Sequence, residues 1–290
     1  TIQGQSIFLK LNDENFFEKP PLFYYLSIII SPLTGIENSG RFVSVISALG
    51  IVFLLFILIK KNVSFSKAIV FLYLILLIPQ LYFVNPAGYF ASHTFSSFDL
   101  DTLQIFFIVL SFFLIFISEK LTTKNIYLSY LSLSLGFLTK GPFVFIPLLI
   151  NSFYIFKQKR IKEIIAGIVL FTIPIILWIV IMYLKFGAGF VDNFVDYHIL
   201  SRAITPLEGH NESILFYLGI LLDPRMNALG IPVVLKLFTL KKPKNFLVKK
   251  VIQYSIIFIF LSILLFTMAQ TKLAWYILPV YPLLALFLAI

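Results

Sequence analysis

The sequence predicts an all-α protein, a polytopic bundle of transmembrane helices. Three observations carry that prediction. The 290 residues are 60% apolar and 12% charged, with a mean hydropathy of +0.99, which is not the composition of a water-soluble domain. Long apolar runs such as 43–59 and 163–184 approach or exceed the roughly 20 residues that cross a hydrocarbon core. These runs also lack the alternation of barrel strands, so helices are left as the way to satisfy backbone polar groups in lipid.

In chain order, the first informative stretch is Phe17-Glu18-Lys19-Pro20-Pro21-Leu22. A residue before proline is pushed towards extended geometry, so Glu18 and Lys19 are expected in non-helical backbone. Pro21 is suited to start a helix, where its missing N–H costs nothing. The run 22–34 is short and contains Pro32, which predicts a juxtamembrane helix at the outer face rather than a span. About nine spans follow, at 40–59, 66–84, 99–117, 126–139, 141–156, 163–184, 214–236, 251–269 and 273–290. The region 126–156 can also be cut differently around Lys140-Gly141-Pro142. No internal repeat is evident, so residues 1–290 are expected to form a single integral-membrane domain. The run that stops at Ile290 and the abrupt start at Thr1 suggest a piece of a longer protein.

Alternating the loops across the membrane sorts the charges. One side receives Lys60, Lys61, Lys67, Lys120, Lys124, Lys157, Lys159, Arg160, Lys162, Lys236, Lys241, Lys242, Lys244, Lys249 and Lys250, with only Glu119 and Glu163 among the acids. The positive-inside rule makes this side cytoplasmic. The other side receives Glu18, Lys19, Asp99, Asp101, Lys140, Asp192, Asp196, Arg202, Glu208, Glu212 and Lys272, together with His93, His198 and His210. The formal net charge of +10 is thus explained by membrane orientation and does not call for nucleic acid. With no cysteine, disulfides, thiolate metal sites and a cysteine nucleophile are excluded.

Four groups on the outer face are candidates for chemistry. Glu18 and His198 offer oxygen and nitrogen ligands for a divalent cation; simple solvation is the competing reading. Lys19, Lys140, Arg202 and Lys272 fall at outer ends of spans, where they either snorkel to headgroups or converge on one anionic group such as a lipid phosphate. Asp99 and Asp101 open a span, which favours capping and structural support over catalysis. Asp101 lies about half a turn beyond Asp99, so it is expected to face inward only if Asp99 faces out. Tyr276, within Lys272-Leu273-Ala274-Trp275-Tyr276-Ile277-Leu278-Pro279, is either an interfacial belt residue or a hydrogen-bond donor to a phosphate.

Several of these pieces, in this order, resemble the ArnT-like branch of the GT-C membrane glycosyltransferases, which is related to the protein O-mannosyltransferases. They are Phe17 to Leu22 with Gly40-Arg41-Phe42, Leu100-Asp101, Leu135-Gly136-Phe137-Leu138-Thr139-Lys140-Gly141-Pro142, Tyr197-His198 with Arg202, Gly209-His210, Leu215-Phe216-Tyr217-Leu218, and Lys272 to Pro279. The resemblance implies a GT-C fold in a bacterial inner or plasma membrane, with the active site on the extracytoplasmic face. It implies inverting transfer of a sugar from a polyprenyl-phosphate donor to a lipid, glycan or protein acceptor. By the same resemblance Lys19 binds the donor phosphate, Glu18 and His198 hold a divalent metal, and Arg202, Lys272 and Tyr276 help neutralise the leaving group; Lys140, from its place at the outer end of a span, is a further donor-phosphate candidate, and Asp101 a supporting residue. The chain departs from the pattern at Phe16, where the family has tyrosine. The family's general-base Asp is expected upstream of Thr1. Two other classes compete: a transporter or flippase of an amphipathic anion, which ordinarily shows broken helices in repeated halves, and a non-catalytic membrane scaffold.

Overall fold

The computed structural model describes residues 8–11, 14–83, 93–194, 212–239, 243 and 245–290. A short antiparallel hairpin, β1 (Lys10–Leu11) and β2 (Glu14–Asn15), precedes the helices. Glu18 and Lys19 then form a bend, as their place before two prolines requires. Pro21 has φ −87° and ψ −13°, and its carbonyl accepts the first helical bond, from Tyr25 N at 3.0 Å. From it start α1 (Leu22–Thr34), a break at Gly35 (φ +77°), and α2 (Ile36–Asn62). Next come α3 (Phe65–Leu76), α4 (Leu100–Phe116), α5 (Thr123–Lys140), α6 (Phe145–Phe156), α7 (Ile161–Phe186) and the single turn α8 (Ala188–Val191). The chain closes with α9 (Phe216–Leu222), α10 (Gly230–Thr239), α11 (Phe246–Met268) and α12 (Tyr281–Ala289).

The helical bundle expected from composition is the fold observed. Helices α2, α7 and α11 are each long and apolar enough to cross a membrane. On α7 only 17% of the apolar window is buried; Ile165, Ile173, Ile176 and Leu184 point outwards, as they do when lipid is the solvent. The centre is packed by α4 against α5, with α2 and α7 on their flanks. Polar side chains tie these helices together where hydrophobic contrast with lipid is small. Asn151 donates to Ser111 Oγ at 2.7 Å, Ser132 donates to the Phe107 carbonyl at 2.8 Å, and Gln104 donates to the carbonyls of Gly136 and Gly141 at 3.1 Å each.

Three spans differ from the expectation. The predicted span 214–236 is two short helices, α9 and α10, separated by Asp223-Pro224-Arg225; Pro224 cannot donate the helical bond, and Asp223 binds Arg225 instead. The predicted span 66–84 ends as a helix at Leu76 and continues into a 3₁₀ turn, Pro79–Leu81. The predicted span 273–290 is a 3₁₀ segment, Ala274–Val280, followed by α12. These three breaks stack on one another. Gln80 N donates to the Met226 carbonyl and Ala228 N to the Leu77 carbonyl, both at 3.1 Å. The Gln80 side chain donates to the Ala274 carbonyl at 3.0 Å and accepts from Tyr281, and Tyr217 bridges to Leu273 at 3.1 Å. Irregular backbone inside a membrane bundle persists only where protein satisfies it, and here each break satisfies the others. Gly230 is required at this junction, because a Cβ there would strike the Leu221 carbonyl.

Helix directions define the two ends of the bundle. The N-terminus of α4 and the C-termini of α5 and α11 meet at one end, alongside the start of α1, whose Phe23 packs on Phe98. The C-termini of α2, α4 and α6 and the N-termini of α5, α7 and α11 gather at the other. There Asn62 donates to the Phe116 carbonyl at 3.3 Å and Arg160 to the Leu121 carbonyl at 2.6 Å. The described lysines assigned to one side by loop alternation all belong to this second end.

Candidate functional site

At the first end a compact cluster of charges is built by four separate segments. Asp99 is the N-cap of α4, with φ −141° and ψ 122°, and its Oδ1 accepts from Asp101 N at 3.2 Å. Ser44 on α2 clamps the cap from behind: its hydroxyl donates to the Asp99 carbonyl at 3.1 Å and accepts from Asp99 N at 3.2 Å. Both carboxylates are buried, at 2% and 4% exposure. This corrects the expectation that one faces in only if the other faces out. A cap residue lies outside the helical rotation, so Asp99 is free to turn inwards beside Asp101.

The other charges come from far along the chain. Lys140, in the last turn of α5, forms an ion pair with Asp101 Oδ2. Its position is fixed by Gly141, which ends the helix at φ +111° and is held through its carbonyl by Gln104 of α4. The Lys140 ammonium also lies over the Tyr276 ring, 5.9 Å from its centroid. His93, in the left-handed region at φ +55°, places Nδ1 3.3 Å from Asp99 Oδ1 and 3.7 Å from Asp101 Oδ2. The imidazole stacks on Trp275 with ring centroids 4.0 Å apart and planes within 3°.

Burial lowers the proton affinity of His93, but hydrogen bonds to Asp101 and Asp99, with their negative charges, outweigh it and lift its pKa to about 9. Asp99 is shifted upwards as well: burial and the neighbouring Asp101 raise its pKa, against the pull of His93 and Lys140. His93 and Lys140 thus set two basic groups beside the two carboxyl groups. His93, Asp99 and Asp101 have ligand atoms within 4.8 Å of one another, a spacing a metal ion can use. Lys140 already supplies the cation on Asp101, so the donor set is neutralised by the protein itself.

The sequence-derived candidates divide as follows. Asp101, Lys140 and Tyr276 are brought together. Lys272 is buried at 7% exposure, beside the Ala274–Val280 segment that carries Trp275 and Tyr276. Glu18 is exposed and Lys19 partly buried on the bend at the same end. Phe16 packs edge-on against Tyr24 at 5.5 Å. His198 and Arg202 lie outside the described residues. His93 and Trp275 were not singled out by sequence; placing His93 on the outer face was the only available signal, because no spacing rule pairs it with an indole 182 positions later.

No known protein family's profile matches the chain. A curated protein of Aquifex aeolicus (strain VF5), described as uncharacterized, is 30% identical over 269 residues, covering 92% of this chain and 58% of that protein. The crystal structure of ArnT from Cupriavidus metallidurans bound to undecaprenyl phosphate superposes with a TM-score of 0.75 at 15% identity, over 98% of this chain and 51% of that one. The apo state of the same enzyme gives 0.76 at 16% identity, over 99% and 51%. The chain spans about half the length of these relatives. At this identity the likeness is one of fold, and it makes the fold ArnT-like.

Proposed function

We propose that this chain is the membrane-embedded part of a glycosyltransferase that takes a sugar from a polyprenyl-phosphate donor at the extracytoplasmic face, with inversion. The observation that carries the reading is the ArnT-like fold across 98% of the chain, in a neighbour that binds undecaprenyl phosphate. The positive-inside rule supports the face, since the lysine-rich end is the opposite one.

In this reading Lys19, Arg202 and Lys272 meet the donor phosphate and Tyr276 donates to it. As the glycosidic bond breaks, negative charge grows on the departing phosphate, and cations already fixed in a water-poor site stabilise it most. The Asp101–Lys140 pair positions Tyr276 and holds the α4 and α5 ends in register beside that site. The acceptor nucleophile is activated by a carboxylate of the full-length protein, and the lipid phosphate leaves as the new glycosidic bond forms. Glu18 and His198 are the residues proposed for a divalent ion; one exposed carboxylate does not hold such an ion alone, and the chemistry proposed here runs through the cations of the chain.

Among the described residues, the stacked breaks at 77–81, 223–229 and 271–280 favour a transporter, since discontinuous helices mark transporter sites. In transporters the freed backbone groups face a substrate cavity. Here they are taken up by Gln80, Tyr217 and one another, which favours the enzyme. The test is sugar transfer by the full-length protein in vesicles, with a polyprenyl-phosphate-linked sugar as donor. Lys19→Ala is expected to lower transfer by about 100-fold or more, with Lys19→Arg partly restoring it. Wild-type transfer by Lys19→Ala would overturn the phosphate role, and donor translocation without transfer would favour the transporter.

A further inference from the structure

The proposed reaction makes no use of the lysine-rich end. Between α6 and α11, with Phe116 of α4 as its floor, is a cavity of about 270 Å³. Each of the two long walls is a stripe at i, i+3, i+4 and i+7: Ile150, Phe153, Tyr154 and Lys157 from α6, and Lys250, Gln253, Tyr254 and Ile257 from α11. Because α6 runs towards this end and α11 away from it, both stripes have the same polarity. The two lysines stand at the mouth and the apolar residues lie deeper; seven residues of helix put roughly 10 Å between Lys157 and Ile150.

Three observations point to an occupant. First, the lysines have no carboxylate: among the described residues neither forms an ion pair, and each rests its ammonium on an aromatic ring, Lys157 on Phe153 at 4.4 Å and Lys250 on Phe246 at 5.2 Å. Second, Tyr254 is 3% exposed, and its hydroxyl is buried without a hydrogen-bond partner while its residue lines the cavity. A buried hydroxyl left unmade is costly, so a ligand oxygen here would be favoured. Third, the ring of Tyr254 packs 4.7 Å from Phe112 and 5.3 Å from Phe116, the latter the floor of the cavity.

We propose that this groove binds an anionic glycerophospholipid of the leaflet at the lysine-rich end. The phosphodiester sits between Lys157 and Lys250, the Tyr254 hydroxyl donates to a headgroup or ester oxygen, and an acyl segment lies along Ile150, Phe153 and Ile257. The volume is just below the roughly 300–1,000 Å³ of sites that enclose a whole ligand, so the groove grips part of one lipid while the rest stays in the bilayer. Basic clefts between helices at a membrane surface suit anionic headgroups in this way. Free phosphate would engage the lysines but would leave the apolar walls unused.

The test uses the full-length protein purified in detergent and stripped of lipid. Phosphatidylglycerol, phosphatidylcholine of the same chains and inorganic phosphate are added separately, and retained lipid is counted by native mass spectrometry beside the thermal unfolding midpoint. Phosphatidylglycerol is expected to be retained at one site and to raise the midpoint, with little effect from the other two. Lys157→Gln with Lys250→Gln is expected to weaken that retention about 30-fold, from two surface lysines. Tyr254→Phe keeps the packed ring and is expected to weaken it several-fold, while Lys120→Gln, at the same end but outside the groove, leaves it unchanged. Equal retention of the two lipids, an equal effect of inorganic phosphate, or wild-type retention by the double variant would overturn the proposal. So would a loss in Lys120→Gln as large as in the double variant, since binding would then follow general surface charge.

Discussion

The two ends of the α4–α5–α11 bundle treat charge in opposite ways. At one end His93, Asp99, Asp101 and Lys140 meet in a buried cluster in which each carboxylate has a cation. At the other, Lys60, Lys120, Lys124, Lys159 and Lys249 are exposed and carry no carboxylate among the described residues; the best-bound cation is Arg160, which is shared among the Leu121 carbonyl, Thr123 and Glu163. The difference is one of solvent. A charge in water or headgroups needs no specific partner, whereas a charge withdrawn from water must be matched or the fold loses several kcal/mol. The same residue type is therefore a topological marker at one end and a structural element at the other.

The largest effect is expected from breaking the matched pair. Lys140→Met leaves the buried Asp99 and Asp101 to share His93, a loss of about 3–5 kcal/mol, read as a fall in the unfolding midpoint in detergent. Lys140→Met combined with Asp101→Leu removes both charges and is expected to recover most of it. If the single variant behaved like an exposed-lysine variant, the contrast between the ends would fail.

Next in size is His93. Its pKa is raised from 6.5 to about 9 in the folded protein, so the protonated ring contributes stability in full below pH 6.5. That contribution falls away as pH rises from 6.5 through about 9. The stability difference between the wild type and His93→Gln is expected to be on the order of 2 kcal/mol at pH 6 and to vanish by pH 10, followed by unfolding midpoints across that range. A difference independent of pH would mean that stacking on Trp275, and not charge, is what His93 provides.

Gln80 tests the neutral polar junction that adjoins the buried cluster. Gln80→Leu strands the buried Ala274 carbonyl and Tyr281 hydroxyl, for a loss of about 1–3 kcal/mol. Arg160→Ala is expected to cost about 1 kcal/mol through its lost bonds to Leu121 and Thr123. Lys120→Gln is expected to change stability by less than about 0.5 kcal/mol. The order of these effects, measured under one set of detergent conditions, sharpens the comparison: partner number and burial, not charge as such, should rank them.

Much of this architecture is readable from residue order. The bend at Glu18-Lys19, the start of α1 at Pro21, the capping role of Asp99 and the long spans α2, α7 and α11 follow from local rules of proline, capping and apolar length. The sorting of lysines to one end follows from counting loops. The span 214–236 was misread because hydropathy averages over Asp223-Pro224-Arg225, although the proline itself marks a break. The early end of α3 and the late start of α12 are not legible, because a backbone break is tolerated only if another segment satisfies it. Gln80, Met226 and Ala274 meet across gaps of 146 and 194 positions.

By itself the sequence determined that this chain is a helical membrane bundle and that the described lysines of alternate loops gather at one end, because hydropathy and charge are properties that each segment carries alone. Only the tertiary structure decided that Asp101 is answered by Lys140, that His93 lies between two carboxylates and an indole, and that Tyr254 is left without a partner beside two lysines. The reason is physical: a buried charge or hydroxyl is defined by what surrounds it, and those surroundings are assembled from helix ends that sequence distance keeps apart.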